Sequence, residues 1–197
     1  QLKAYTDFLG MDFIVSCWDT QSVDDVSSLG LKYHKVASAL ATDKNFLEKL
    51  NSTGKPIILS VGMCDQPRVD ASIKALDNLE YVLACTSTYP TKPKDVNLNY
   101  IRSLKNQYPN LKVGFSNHYN GADACVGAVA LGAECIEFHI TKDRTMYGSD
   151  QAASIQHTQT FVDAIKKIKV MLGDGNKNIM EDEMPIAKKL RKVDNIT

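Results

Sequence analysis

The 197-residue sequence has no excess of either charge sign, because 23 lysines and arginines balance 23 aspartates and glutamates. Proteins that bind nucleic acid or an anionic membrane surface usually carry a basic excess, so the balance argues against both kinds of partner. No apolar run approaches the roughly 18–20 residues that a membrane span needs. With 44% hydrophobic and 23% charged residues, the composition is that of an ordinary globular protein.

The sequence also lacks any paired cysteine motif. The five cysteines are odd in number, widely spaced and mostly embedded in apolar segments: Cys17, Cys64, Cys85, Cys125 and Cys135. No Cys-x-x-Cys pair offers a zinc knuckle, and the spacing does not suit a disulfide framework. The pattern predicts buried free thiols in a reducing compartment, hence a cytoplasmic protein.

Short apolar runs alternate with helical patterns along the chain. The predicted strands are Asp12–Cys17, Tyr33–Val36, Pro56–Val61, Tyr81–Thr86, Lys112–Phe115 and Cys135–His139. The predicted helices are Val23–Leu29, Lys44–Asn51, Val69–Asn78, Asn97–Tyr108, Ala122–Leu131 and Thr158–Leu172, with Gly132 and Gly173 as helix stops. This alternation predicts an α/β fold with a parallel sheet under helices.

Two architectures fit six such units. One is a doubly wound open sheet. The other is a (β/α)8 TIM barrel that is truncated, because the units repeat every roughly 20–31 residues, close to the spacing of barrel units. Gln1 begins inside a helical pattern before the first strand, which favours the truncated barrel.

Two histidines follow consecutive predicted strands, His118 after Lys112–Phe115 and His139 at the end of Cys135–His139. A strand–helix–strand crossover makes these strands parallel neighbours, so the two imidazoles would converge at the carboxyl ends of the strands. Neutral imidazole is a common ligand of divalent transition metals, and the pair predicts a metal site. The alternative is that each histidine is a hydrogen-bonded core residue.

Other strand ends are polar as well. Lys35 lies in an apolar run, where it is either paired structurally, a partner of a phosphate or carboxylate, or a Schiff-base amine. Ser60 and Gly62 share one face of their strand, and small residues there would admit a ligand close to the backbone. The hydroxyl-rich segment 85–91 suits a sugar or phosphate, or else only a turn around Pro90.

His34, His157 and the loop after His139 complete the set of polar candidates. His34 points to the opposite face from Lys35, and His157 precedes a helix, so both are interpreted as structural residues. The loop 141–154 is dense in charged and hydroxyl side chains, which would suit a polar lid. Within it, Asp143 and Arg144 are typical of a surface pair.

Several of these segments, in the same order, resemble the sialic acid synthases, which comprise N-acetylneuraminate synthases and the related legionaminic and pseudaminic acid synthases. The segments that carry the resemblance are Cys85–Thr91, Val113–His118, Gly127–Ala133 and Asp143–Ser154. The resemblance runs from the first predicted strand to Arg191.

The resemblance implies an enzyme that condenses phosphoenolpyruvate with an open-chain N-acetyl-hexosamine, such as N-acetylmannosamine, to a nine-carbon 2-keto acid. It implies a divalent metal cofactor, Mn²⁺ first, with Mg²⁺ and Co²⁺ as alternatives. It also implies a (β/α)8 barrel followed by a small antifreeze-like domain, in a domain-swapped homodimer. Neither nucleic acid nor a membrane is an expected partner.

The resemblance assigns roles to individual residues. His118 and His139 resemble the metal ligands and, with Lys35, the catalytic residues. The remaining substrate-binding positions divide into a phosphoenolpyruvate shell and contacts to the amino sugar: Lys35, Ser38, Ser60, Ser87 and Ser116 in the first group, Tyr89 and Asp150 in the second.

The chain departs from the family's pattern at two positions and in extent. Ser87 stands where many members have Asn, and Asn117 where many have Asp, which would remove a negative charge beside the metal. No counterparts are present for the family's first two strands, with their acidic residue and phosphate-binding lysine, or for the antifreeze-like domain. We therefore expect the six strands to be the third to the eighth of the barrel.

The expected organisation is a partial barrel domain over residues 1–173 and a linker region over residues 174–197, in which Glu181–Lys192 is either a solvated helix or itself a linker. Alone, the 197 residues are expected to be poorly stable and inactive. Two other functions also fit these residues. One is a Schiff-base aldolase that uses Lys35, and the other is a non-catalytic domain that binds an acidic sugar.

Overall fold

The computed structural model describes residues 1–148 and 153–193. Six parallel strands form one sheet in the order β1–β2–β3–β4–β5–β6, and the sheet curls into half of a barrel. The strands are β1 (Val15–Ser16), β2 (His34–Val36), β3 (Ile57–Ser60), β4 (Leu79–Cys85), β5 (Lys112–Asn117) and β6 (Ile136–Phe138). The helices are α1 (Leu2–Phe8), α2 (Thr20–Asp25), α3 (Lys44–Asn51), α4 (Gln66–Lys74), α5 (Asn99–Gln107), α6 (Asp123–Ala130), α7 (Thr158–Met171) and α8 (Glu183–Leu190).

The strand order decides between the two architectures that the sequence left open. A doubly wound sheet reverses its strand order at a switch point, whereas these strands follow one another without reversal. Every crossover therefore turns the same way and leaves its helix on the same side of the sheet. This singly wound arrangement is the barrel-like α/β fold.

Aspartates begin the three helices that follow the first three strands. The carboxylates of Asp19, Asp43 and Asp65 accept hydrogen bonds from the backbone N–H groups of Ser22, Phe46 and Arg68 at 2.7, 3.1 and 3.2 Å. Each bond satisfies an amide that the helix itself leaves unpaired. The cap at Asp19 also explains why α2 begins at Thr20, before the predicted start at Val23, whereas β1 is shorter at both ends than the predicted strand Asp12–Cys17.

Glycines end two helices as predicted. Gly132 follows α6 with φ +90°, and Gly173 follows α7 with φ +61°. Both angles lie in the left-handed region, where a residue without a Cβ is not strained.

Side chains alternate strictly across the sheet. On β4, Val82 and Ala84 belong to the hydrophobic core under the helices, whereas Cys85 points to the concave face. On β5, Val113 and Phe115 join that core while Ser116 lies on the concave face. As a result, apolar side chains on the convex face pack against the helices, and polar side chains lie on the concave face.

The helices cover the convex face with apolar side chains. Buried residues come from six of them, α2 to α7, among them Val23, Phe46, Leu50, Val69 and Leu104. At the far end of the sheet, Phe138 of β6 meets Phe161 of α7 with ring centroids 4.3 Å apart. Among the described helices, none is long and apolar enough to cross a bilayer.

His34 faces the convex side and is buried, as its alternation with Lys35 predicted. Neither of its ring nitrogens has a hydrogen-bond partner. Burial, followed by the charge of Lys55, lowers the pKa of His34. The imidazole is therefore held in its neutral form in the core.

Candidate active site

The concave face forms one cavity of about 590 Å³ at the carboxyl ends of the strands. That volume is ordinary for a small-molecule site. The walls come from all six strand ends and the loops that follow them: Ser16, Trp18, Lys35, Ala37, Ser38, Ala39, Ser60, Met63, Ser87, Tyr89, Ser116, His118, Glu137 and His139.

Every described residue that the sequence singled out for the site lines this cavity. These residues are Lys35, Ser38, Ser60, Ser87, Tyr89, Ser116, His118 and His139. Asp150 lies outside the described residues. The structure thus brings together side chains from strands that are far apart in the sequence.

Lys35 is buried at the base of the cavity, with an ammonium group that finds an acceptor in each of three directions. Its Nζ lies 2.9 Å from Ser60 Oγ, 3.0 Å from the Val36 carbonyl oxygen and 3.1 Å from Glu137 Oε2. A protonated amine has no lone pair for attack on a carbonyl carbon. The surroundings of Lys35 therefore suit an anion anchor better than a Schiff-base nucleophile.

Glu137 is a functional candidate that the site assignment from sequence missed. Besides the contact with Lys35, its Oε1 accepts a hydrogen bond from Ser116 Oγ at 2.8 Å. The sequence did contain a sign of this role, because Glu137 lies two residues before His139 and therefore on the same face of the strand. In the sheet register it also lies opposite Ser116. Its partner Lys35, however, is on β2, and no local pattern predicts that contact.

The two histidines converge as their strand positions predict. The ring centroids of His118 and His139 lie 5.2 Å apart, with 31° between the ring planes. Tyr89 packs beside both, its centroid 4.3 Å from that of His118 and 6.1 Å from that of His139. The backbone at His139 is fixed from the other side, because its carbonyl oxygen accepts from the amide of Ile155 at 2.8 Å.

The orientation of His118 is set by the chain segment after β4. Its Nδ1 lies 3.0 Å from the carbonyl oxygen of Thr86. A carbonyl oxygen only accepts, so Nδ1 carries a proton, and in the neutral form of the ring the lone pair is on Nε2. This is the arrangement by which proteins orient an imidazole as a metal ligand.

The thiol of Cys85 lies beneath this histidine, 3.6 Å from Nδ1. Burial raises the pKa of Cys85, but the hydrogen bond and charge of His118 and the hydroxyls of Ser87 and Ser38 outweigh it, so the pKa lies below its ordinary value. Burial lowers the pKa of His118, and contacts to Cys85, Thr86 and Glu137 reverse the shift and raise it. The two groups therefore stabilise each other's charged forms.

Gly62 keeps the hydroxyl groups close together. Its amide donates to Ser38 Oγ at 2.9 Å, and a Cβ at this position would lie 2.2 Å from Ser87 Oγ and 2.9 Å from Ser38 Oγ. Only glycine lets the backbone approach the two serines this closely. The result is a cluster of small hydrogen-bonding groups beside the histidine pair.

Comparison with known proteins decides the family. The model of the NeuB family matches residues 1–177. The chain belongs to the NeuB family. The resemblance to sialic acid synthases that its motifs carry is thereby confirmed.

Two curated proteins are similar to this NeuB chain over almost its whole length. It is 38% identical to the uncharacterized protein MJ1065 of Methanocaldococcus jannaschii over 198 residues, 98% of this chain and 58% of that protein. It is 34% identical to the human N-acetylneuraminate-9-phosphate synthase over 197 residues, 98% of this chain and 55% of that enzyme. The NeuB chain therefore spans little more than half the length of these relatives.

A solved structure shares the fold of this NeuB chain. It is the N-acetylneuraminic acid (sialic acid) synthetase of Leptospira borgpetersenii in complex with citrate, with 28% identity and a TM-score of 0.85. The match covers 98% of this chain and 70% of that one.

The donor set of the NeuB chain fits a divalent transition ion that keeps open positions. The imidazoles of His118 and His139 would be its nitrogen donors in their neutral forms, and no group of three His, Cys, Asp or Glu ligands forms among residues 1–148 and 153–193. Two protein ligands would leave the remaining positions of such an ion to water and substrate.

Two expectations about the surroundings of the site change in the structure. Asn117 lies on the convex face, where its amide group exchanges hydrogen bonds with the backbone of Tyr119 at 2.8 and 3.2 Å. It does not line the cavity, so a charge change there would act on the histidines only indirectly. The described part of the expected lid, residues 141–148, contributes no cavity-lining side chain, and Asp143 bonds to Thr145 rather than to Arg144.

Proposed function

We propose that the protein is a synthase that condenses phosphoenolpyruvate with an open-chain N-acetylated amino sugar. The product is a nine-carbon 2-keto acid, and phosphate is released. One observation carries the proposal: eight residues assigned to substrate and metal in the NeuB family line one cavity in a chain of that family.

The anion-binding part of the cavity would hold phosphoenolpyruvate. The ammonium of Lys35 and the hydroxyls of Ser60 and Ser116 point to one region, and Ser38 and Ser87 lie beside it. Charge-assisted hydrogen bonds from such groups suit the carboxylate and phosphate of that substrate. Holding both anionic groups would fix the approach of its C3 carbon.

The bond changes balance without a covalent enzyme intermediate. The C3 carbon attacks the aldehyde carbon, and the aldehyde oxygen becomes a hydroxyl by taking a proton. Water adds to the cationic C2 and loses one proton, and the C2–O bond to phosphate then breaks as the new C2 hydroxyl gives its proton to the departing phosphate, which leaves the ketone. A divalent ion held by His118 and His139 would supply Lewis acidity at this site.

The contacts of Lys35 weigh against the aldolase alternative. A Schiff-base lysine must lose its proton, and here carboxylate, hydroxyl and carbonyl oxygens surround the ammonium. The non-catalytic alternative does not explain why the Thr86 carbonyl oxygen orients the ring of His118 as metal ligands are oriented.

The decisive experiment measures phosphate release by the full-length protein. We expect release only when phosphoenolpyruvate, an N-acetylated hexosamine and a divalent ion are all present. A panel of N-acetylmannosamine, its 6-phosphate and a diacetamido sugar identifies the acceptor, with Mn²⁺, Mg²⁺ and Co²⁺ compared. Release that persists with chelator, or borohydride trapping of an adduct on Lys35, would favour the aldolase instead.

For the rest of the molecule we propose the organisation of the family. The six strands would be the third to eighth of a (β/α)8 barrel, followed after residue 173 by a linker and an antifreeze-like domain in a cytoplasmic, domain-swapped homodimer. The greater length of the relatives supports this organisation. Sedimentation of the full-length protein as a monomer would contradict the dimer.

A further inference from the structure

Glu137 holds the two groups that an anionic substrate would need. Its Oε2 lies 3.1 Å from Lys35 Nζ, and its Oε1 accepts from Ser116 Oγ at 2.8 Å. The lysine side chain is 8% exposed and the glutamate side chain 37% exposed. The carboxylate therefore bridges β2 and β5 from the open side of the cavity.

Lys35 depends on this carboxylate for charge compensation. Its other two partners, Ser60 Oγ and the Val36 carbonyl oxygen, are neutral. Within the part of the chain that the structure describes, Glu137 is the only carboxylate that pairs with Lys35. A buried ammonium without a counter-charge is strongly destabilising, so Lys35 needs the glutamate whenever no anionic ligand pairs with it.

The same contact conflicts with binding of the substrate. The synthase proposed above takes an anion with a carboxylate and a phosphate group, and the donors that suit it are the ammonium and hydroxyl already bonded to Glu137. Two anionic groups that share these donors at contact distance repel each other, because the cavity screens their charges only in part.

We propose that Glu137 is an internal stand-in for the substrate anion. It neutralises and positions Lys35 until the substrate anion binds, and it must then leave Lys35 and Ser116. Glu137 is thus a positioning residue that lowers anion affinity while keeping the lysine paired. This inference rests on the proposed function, because it takes the ligand of Lys35 to be anionic.

The test is direct binding to the full-length protein, measured by calorimetry with phosphoenolpyruvate and, separately, with inorganic phosphate. Glu137→Gln keeps the shape and the acceptor for Ser116 but removes the charge. We expect both ligands to bind about tenfold more tightly, as follows from removing one like charge a few ångströms away in a partly screened site. The KM for phosphoenolpyruvate should fall, with the KM for the amino sugar unchanged.

The matched control is Glu134→Gln. Glu134 lies three residues earlier and pairs with Lys105 at 3.4 Å, outside the cavity, so this variant makes the same change in net charge. We expect it to leave anion affinity unchanged. If Glu134→Gln tightens binding as much as Glu137→Gln, the effect is one of overall charge and the inference is overturned.

The sign of the effect separates positioning by competition from simple structural support, because loss of support would weaken binding. Unchanged or weaker binding by a folded Glu137→Gln protein overturns the inference. If that variant does not fold, Glu137→Asp serves, because its shorter side chain reaches Lys35 less well. It should tighten binding by a smaller factor, and weaker binding would again overturn the inference.

Failure of the proposed function would look different. In that case the folded wild-type protein would bind neither phosphoenolpyruvate nor phosphate, whatever residue stands at position 137.

Discussion

The concave face of the sheet buries polar side chains, whereas the two terminal helices expose apolar ones. Lys35, Ser116 and His118 are buried polar residues at 7%, 2% and 6% exposure. Helices α1 and α8 bury no residue at all, and their apolar Phe8 and Leu190 are 83% and 67% exposed. Position in the barrel-like sheet, rather than side-chain polarity, decides which residues leave water.

The difference has a physical reason. A buried polar group is costly unless it finds a partner, and each of the three has one: Glu137 for Lys35 and Ser116, and the Thr86 carbonyl for His118. Neither terminal helix buries a residue, so their apolar side chains stay in water. The comparison predicts that substitutions in the sheet change stability or binding strongly and substitutions in the ends do not.

The largest expected effect tests the stability side of this comparison. Leu59 on β3 is fully buried, and Leu59→Ala should lower the free energy of unfolding by about 2–5 kcal/mol because it leaves a cavity in the core. Leu190→Ala is the control, expected within about 0.5 kcal/mol of wild type. Urea unfolding measures both. Equal losses would mean that α8 is as well packed as the sheet.

The next effect tests the histidine pair. His118→Ala should reduce Mn²⁺ affinity by more than about 100-fold, because it removes one of only two proposed protein ligands. Electron paramagnetic resonance of free Mn²⁺ reports this without any enzyme assay. His157→Ala, at the exposed start of α7, is the control and should bind like wild type. Full metal affinity in His118→Ala would eliminate the proposed metal site.

A smaller effect is expected at Gly62. Gly62→Ala should weaken phosphoenolpyruvate binding by about tenfold or more, since its Cβ forces Ser87 and Ser38 apart and misplaces their hydroxyls. Gly30→Ala is the control, because it strains the backbone at φ +61° but its Cβ would meet no neighbour within 4 Å. That control should cost stability and leave binding intact. Normal binding by Gly62→Ala would show that the close approach is not needed.

The smallest effect concerns the convex side. Burial, followed by the charge of Lys55, lowers the pKa of His34, so the unfolded chain takes up a proton before the folded one does. Stability should be complete above the ordinary histidine pKa of about 6.5 and should fall as the pH drops below it, until the lowered folded pKa is passed.

His34→Leu should remove that part of the acid sensitivity, whereas His157→Leu should leave it unchanged. Unfolding free energies at pH 7 and pH 5 measure the difference. An acid sensitivity that is the same in His34→Leu and wild type would show that the buried imidazole does not control it.

Much of the fold was predictable because it rests on local patterns. The six strands, the glycine stops at Gly132 and Gly173, and the opposite faces of His34 and Lys35 all follow from the period of two in strands and the special conformations of glycine. The least accurate prediction was the first strand, where the aspartate cap at Asp19 begins a helix earlier than the apolar pattern suggested.

The candidate site was predictable residue by residue but not as a network. Strand parity and the resemblance to the sialic acid synthases selected the eight cavity residues. The contact between Glu137 and Lys35 joins β6 to β2, and the contact between Cys85 and His118 joins β4 to β5. Such contacts depend on register and on the depth of each side chain, which periodicity does not describe.

The amino-acid sequence by itself therefore determined the order of strands and helices, the face on which each side chain lies, and the polar residues placed at strand ends. Only the tertiary structure decided that the strands follow one another without reversal and curl, so that their ends surround one cavity. It also decided that a carboxylate of β6 pairs with the lysine of β2. The reason is that side-chain direction is a local property of the backbone, whereas distances across a curved sheet are set by all its strands together.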